Sequence, residues 1–367
     1  MFTKEILHYF YFENKSDKCY IIDRSINATD ITLNPLINFV KEHKPECVLY
    51  NYVTEATVDW LVLCYDNGTF MIYDLFYEFE KVLVENNCQF NVILGGYYPE
   101  IFKFFETNPI KNFKIHYWPT YLITHTYDGI KNSLLYPRGV DGDDSVKNCS
   151  VVKNFNKLYL NYNNKPRYHR CVMIDELYNQ NLFNYGINSW NVKINETDIA
   201  RDLTGTIKSN YSFKYWSESH LFVDNYKSVD KGFVDEYSDM VLNSGCLFSL
   251  VGESSMEAPF VTEKTYRPIL IEQPFICYGA KGQNKEILKF GFELYDEVFD
   301  YDFDTKDSIF DRIDGLIKNL NRLKDSNYQE IYNLLSPKIK RNKERALDLM
   351  TNDPFNPYTE FYKKYKV

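Results

Sequence analysis

Residues 248–282 read FSLVGESSMEAPFVTEKTYRPILIEQPFICYGAKG, and they decide the fold. The apolar run 248–251 reads as a strand, followed by a loop that carries Glu253, Ser254 and Ser255. Residues 262–267 (TEKTYR) open a helix. Thr262 is a capping residue type, which predicts free backbone N–H groups and a positive dipole end facing an anion. Glu263, in the first turn, can accept hydroxyl hydrogen bonds from a ribose or a sugar. Lys264 and Arg267 stand three apart, so they share one face of a helical turn. Such cations hold a diphosphate and neutralise it as a leaving group. Pro268 predicts a kink in this helix. Residues 274–278 (PFICY) form the next strand and end at Gly279.

A second basic cluster lies upstream, in residues 160–170 (LNYNNKPRYHR). Residues 157–161 read as a strand and residues 170–181 as a helix, so Lys165, Arg167 and Arg170 crowd the junction of the two. A basic turn on its own is most often a solvated one. Facing the cluster at Lys264 and Arg267, this one reads as the other half of a diphosphate site. Arg167 and Arg170 are both candidates for the phosphate contact. His169 between them reads as a packing or surface residue.

Working outward, the rest of the chain repeats the same alternation. Strands are expected at 19–23, 47–53, 70–74, 90–94, 114–118 and 121–124, with helices at 34–43, 55–65 and 77–87. Strand and helix taking turns predicts α/β architecture with a mostly parallel sheet. Residues 137–150, with Pro137, Gly139, Gly142 and an acidic run, read as a linker. The division expected is therefore residues 1–150, an acceptor-side domain, and residues 151–350, a donor domain, with 351–367 as a tail. Helices are expected at 308–323 and at 327–350, the latter broken near Pro337. Two such halves suit a two-substrate reaction in a cleft.

Composition narrows the classes. The 367 residues carry a formal net charge of −9, which argues against nucleic acid as the main partner. The 32 Tyr and 27 Phe beside many Asn and Lys fit an AT-rich genome, a virus's or a parasite's. Eight cysteines without CxxC spacing read as buried free thiols in a reducing, cytoplasmic compartment. No apolar run is long enough for a membrane anchor. The six histidines show no HxxxH, HxH or HExxH spacing, so no zinc site is expected. Asp300, Asp302 and Asp304 alternate like a metal-binding DxD run but lie after the donor block, and read as a surface turn. No metal or other cofactor is expected, with Lys and Arg in place of an ion.

The block at 248–282 resembles the donor-site motif of family 10 glycosyltransferases, the α-1,3-fucosyltransferases. The matching residues are Phe248, Glu253, Ser255, Val261, Thr262, Glu263, Lys264 and Arg267. Ser254 stands where the family usually has Asn, and 270–278 (LIEQPFICY) departs from the family's Ala-Gly-Val-Pro-Val run. The resemblance implies two Rossmann-like domains facing a cleft, the GT-B-type architecture. It implies an inverting enzyme with GDP-fucose as donor, held by the Glu263–Lys264 pair and by Arg167 or Arg170. The acceptor implied is a hydroxyl, on a glycan or another molecule. An inverting transferase needs a carboxylate to take the acceptor's proton. In this fold it comes from the first domain, where Glu100, after Gly95-Gly96, and Glu55 both follow strands. Two alternatives are transfer to modified bases of viral DNA, and a non-catalytic glycan- or nucleotide-binding relative. The intact TEKxxR run speaks against the second.

Overall fold

The computed structural model of the chain describes residues 10–16, 19–24, 33–52, 73–94, 105–118, 120–138, 146–151, 153–163, 167–190, 245–254, 256 and 258–357. They form two units: Met1–Tyr121 with Asp353–Val367, and Leu122–Asn352.

The first unit holds strands β1 (Phe10–Ser16), β2 (Cys19–Arg24), β3 (Cys47–Tyr52), β4 (Gln89–Leu94) and β5 (Phe113–Tyr117) in that spatial order. Strands β2 to β5 are parallel, and β1 is an antiparallel edge that the sequence did not announce. Helix α1 (Leu33–His43) buries Leu36, Ile37, Phe39 and Val40. Helix α2 (Tyr73–Glu85) buries Phe79, Val82 and Leu83, with the Phe79 ring edge-on to Phe90 of β4 at 5.0 Å. Each such side chain contributes about 1.5–3 kcal/mol when fully buried.

Helix α3 (Tyr121–Arg138) replaces the strand expected at 121–124. A short apolar run does not separate helix from strand. The buried set Leu122, Ile123, Thr126, Tyr127 and Ile130 has helical spacing. Residues 73–74, expected to end a strand, begin α2. The helix expected at 55–65 lies outside the described residues.

The second unit contains β6 (Lys157–Asn163), α4 (Tyr168–Asn179), β7 (Gly186–Trp190), β8 (Cys246–Gly252), α5 (Glu263–Leu270), β9 (Phe275–Tyr278), α6 (Gln283–Glu286), α7 (Ile309–Leu323) and α8 (Tyr328–Thr351). Its sheet is parallel throughout, in the order β7-β6-β8-β9. Every residue of β8 is buried, as expected of an inner strand covered on both faces. The expected fold class, two Rossmann-like α/β units, is the one observed. Pro337 does not break α8. Its missing N–H deprives only the carbonyl of Asn333, an exposed residue where water can substitute. Seven cysteines (19, 47, 88, 149, 171, 246 and 277) are buried free thiols.

The division does not fall at residue 150. The Val151 N–H donates to Ile271 O at 3.1 Å, and Lys343 Nζ donates to Cys149 O at 2.7 Å, so residues 149–151 are held by the second unit. Nor is the C-terminal segment a separate tail. Asp353 accepts hydrogen bonds from Trp118 Nε1 (2.7 Å) and from the Thr120 hydroxyl, and clusters with the first unit.

Candidate functional site

Strand β6 has β7 on one side and β8 on the other, so the winding of the second sheet reverses between β6 and β8. Open α/β sheets bind ligands at the carboxyl ends of the strands beside such a reversal. Here those ends are Asn163 and Gly252.

The floor beneath them is polar and buried. Asn163 Nδ2 donates to Asn161 Oδ1 at 2.9 Å, and Asn161 Nδ2 to Asn188 Oδ1 at 3.2 Å. The Tyr278 hydroxyl donates to Asn161 Oδ1 at 3.0 Å. Burial pushes the Tyr278 phenol up, against the pull of Arg170's charge, so it remains a donor. Gly252 is required beside this ring: a Cβ there would stand 2.7 Å from the Tyr278 oxygen and 3.0 Å from Asn163 Oδ1. Sequence reasoning missed this floor. Its signal was the pair Asn161 and Asn163, two polar residues on one face of an otherwise buried strand.

Helix α4 begins just past the end of β6, with Arg167 at its N-cap position and partly buried. Two residues of its first turn reach back to β8. Arg170 is buried, and its Nη2 donates to Gly252 O (2.7 Å) and Glu253 O (3.3 Å), with Nε also on Gly252 O (3.1 Å). His169 Nε2–H donates to Glu253 O at 2.7 Å, since a carbonyl only accepts. Burial lowers the His169 pKa well below its ordinary value, and the Arg170 charge adds to this, so the ring is neutral. His169 is a packing residue, one of the two readings that the sequence left open. The pair left open by the sequence separates: the Arg170 guanidinium is engaged by backbone carbonyls, and Arg167 is the more accessible of the two.

Helix α5 is capped as predicted, Thr262 Oγ1 accepting from Lys264 N at 3.2 Å. It runs through Pro268 and ends two residues later, at Leu270, so the expected kink does not interrupt it. The free N–H groups expected at this end are not found at three positions. Thr262 N donates to Glu253 Oε1 (3.0 Å), Lys264 N to the cap, and Thr265 N to Thr262 O (3.0 Å). Attraction for an anion therefore rests on side-chain charge and on the dipole. Lys264 Nζ lies 2.6 Å from Glu263 Oε1, both side chains about one-fifth exposed (24% and 21%). Lys264 Nζ also donates to Thr262 Oγ1 (3.4 Å) and Ser254 Oγ (3.5 Å).

Glu253 is fully buried. Its carboxylate takes Thr262 N–H and Thr265 Oγ1–H on Oε1 (3.0 and 2.5 Å) and Thr262 Oγ1–H on Oε2 (2.7 Å). Burial pushes its pKa up, while the Lys264 charge and the two hydroxyls pull it down. It cannot touch a ligand, contrary to its expected donor contact. The two helix starts share one electrostatic field. Burial weakens the charged form of Arg170 and Arg167 opposes it, while Glu253 and Glu263 favour it. Arg267 is buried on α5 (5% exposed). Glu55, Glu100 and Ser255 lie outside the described residues.

The DxD-like run divides. Asp300 and Asp302 are exposed, as expected of a surface turn. Asp304 is buried and accepts from Asn284 N, Asn284 Nδ2 and Lys285 N, which ties down the start of α6. Among the described residues no three His, Cys, Asp or Glu side chains gather as a metal-ligand set, and no helix is long and apolar enough to cross a membrane.

No protein-family model matches the sequence, and no curated protein matches it. Among solved structures, the chain is similar to T4 phage BGT in complex with its UDP-glucose substrate, at 12% identity and a TM-score of 0.44, over 95% of this chain and 82% of that one. A mutant T4 phage BGT with UDP-glucose gives 12% and 0.44, over 88% and 74%. The DNA modifying enzyme β-glucosyltransferase gives 10% and 0.41, over 88% and 74%. At this level of likeness the neighbours carry no argument about what this chain binds.

Proposed function

We propose that the chain is an inverting glycosyltransferase that binds a nucleotide sugar at the β6/β8 reversal of its second unit. What supports this reading is one observation: two helix starts, with Arg167 on one and Lys264 on the other, stand at the carboxyl ends of adjacent strands where the sheet reverses. A diphosphate needs cations and positive dipole ends together, which is why this pair of helix starts supports the reading.

In the reaction, an acceptor hydroxyl oxygen forms a bond to the anomeric carbon while the bond from that carbon to the diphosphate oxygen breaks. A carboxylate takes the hydroxyl proton, with Glu100 proposed first and Glu55 second. Lys264 and Arg167 stabilise the charge that develops on the departing nucleoside diphosphate. Glu263 binds a ribose or sugar hydroxyl, and Arg267 belongs to the same cationic wall. Fucose from GDP-fucose is the donor proposed on the family 10 resemblance, and a glycan hydroxyl is the acceptor.

The test is a thermal-shift screen of GDP-fucose, GDP, GDP-mannose, UDP-glucose, UDP-galactose and UDP-GlcNAc, against wild type and Lys264→Ala. One donor or its nucleotide should raise the wild-type melting temperature and leave the variant unmoved. If nothing shifts wild type, the transferase reading is wrong and a glycan-binding role replaces it.

A further inference from the structure

We infer that Glu253 is a positioning residue, one that aims the Lys264 ammonium at the ligand's phosphates through the Thr262 hydroxyl; this rests on the donor-site reading above. Glu253 cannot act by contact, because it has no exposure and its carboxylate oxygens are taken by Thr262 and Thr265.

A buried carboxylate is a costly way to hold a loop. The same region shows the cheaper way twice. Gln283 holds Phe260 with a neutral amide, accepting from its N–H (3.1 Å) and donating to its carbonyl (2.9 Å). Asn284 does the same to Cys277, at 2.8 and 2.9 Å. At Thr262 the chain uses a carboxyl group instead, with three donors on its two oxygens, and the difference between the two chemistries is direction. An amide both donates and accepts, so a hydroxyl facing it can turn either way. A carboxylate only accepts. Facing Glu253, the Thr262 O–H must donate inward, and its lone pairs must face outward. Those lone pairs receive Lys264 N–H at 3.2 Å and Lys264 Nζ at 3.4 Å. The order Lys264, Thr262, Glu253 is therefore a one-way chain of hydrogen bonds, ending on a carboxyl group that water does not reach.

The anchor of that chain is itself fixed. The Glu253 carbonyl accepts from His169 Nε2 and Arg170 Nη2, and its N–H donates to Tyr278 O at 3.1 Å. The first turn of α4 thus sets the main chain from which the first turn of α5 is aimed. This places His169 and Arg170 behind Glu253 in the same line of support.

The experiment uses the full chain. Binding of inorganic pyrophosphate, GDP and UDP is measured by calorimetry, with melting temperature recorded beside it, for wild type, Glu253→Gln, Thr262→Val, Thr262→Ser and Ser249→Ala. Thr262→Val should weaken each ligand that wild type binds by about tenfold, the size of one hydrogen bond to a charged group. Thr262→Ser should restore most of that loss, and Glu253→Gln should behave like Thr262→Val. Ser249→Ala removes a buried hydrogen bond from β8 to Gln273 (2.6 Å), so it should lower the melting temperature and leave affinity alone. If Glu253→Gln does not fold, Thr262→Val against Thr262→Ser decides by itself. Wild-type affinity in Thr262→Val, or an equal loss in Ser249→Ala, overturns the inference and leaves the donor site standing. No binding of any probe by wild type overturns both.

Discussion

The two sheets are built from the same kind of unit and differ in how the chain winds through them. In the first, β1 to β5 lie in sequence order, with no reversal among the described strands. In the second, β6 lies between β7 and β8, and the winding turns back on itself. The contrast is sharpest against β4. At the carboxyl end of β4 the residues are apolar and buried, Val92, Ile93 and Leu94. At the carboxyl ends of β6 and β8 stand two asparagines, a glycine and a buried glutamate, met by His169 and Arg170 from the following helix. Reversal parts the connections that would otherwise cover the strand ends, and the chain fills that place with polar groups.

Four substitutions test this contrast. Leu94→Ala should cost the most stability, about 4 kcal/mol, through the cavity it leaves. Its binding of GDP or UDP should match wild type, and a loss of binding would mean that the first sheet shares the nucleotide site. Arg170→Ala comes next, at about 3 kcal/mol, because the Gly252 and Glu253 carbonyls lose their buried donors. Here urea unfolding and nucleotide binding should suffer together. Gly252→Ala should cost about 2 kcal/mol, since its methyl meets the Tyr278 hydroxyl and the neighbours must shift. A neutral result would show that the floor is pliant.

His169→Gln has the smallest effect, and it shows in pH. Burial keeps the wild-type ring neutral in the fold, so its contribution is complete above an unfolded pKa of about 6.5. As pH falls below that value, the unfolded chain takes up a proton that the folded chain refuses, and stability drops by about 1 kcal/mol over the first unit. The variant should lack this portion of the slope in unfolding curves between pH 5 and about 6.5. An unchanged slope would mean that His169 titrates in the fold.

Much of the second sheet was legible because its strands are apolar runs between turn residues. The cap at Thr262 was legible because capping is local chemistry. What the sequence hid is tertiary. Arg167 and Arg170 have the same side chain, and only the position of β8 decides which one reaches the Gly252 carbonyl. Glu253 looks like a polar loop residue until Thr262 and Thr265 close over it. Asp304 sits in a run with exposed Asp300 and Asp302, and differs from them only by facing Asn284. The boundary was misplaced because a polar run with Gly and Pro does not tell which unit the flanking residues join. Residues 149–151 bond to Ile271 and Lys343, far along the chain.

The return of the chain at Asp353 makes the second unit an insert within the first. No single cleavage can release it whole; two are needed, one near Tyr121 and one near Asn352. Shortening the protein to residue 352 would not merely trim an end. It would take from Trp118 and Thr120 the carboxylate that both hydrogen-bond, so the first visible damage would lie more than two hundred positions upstream of the cut.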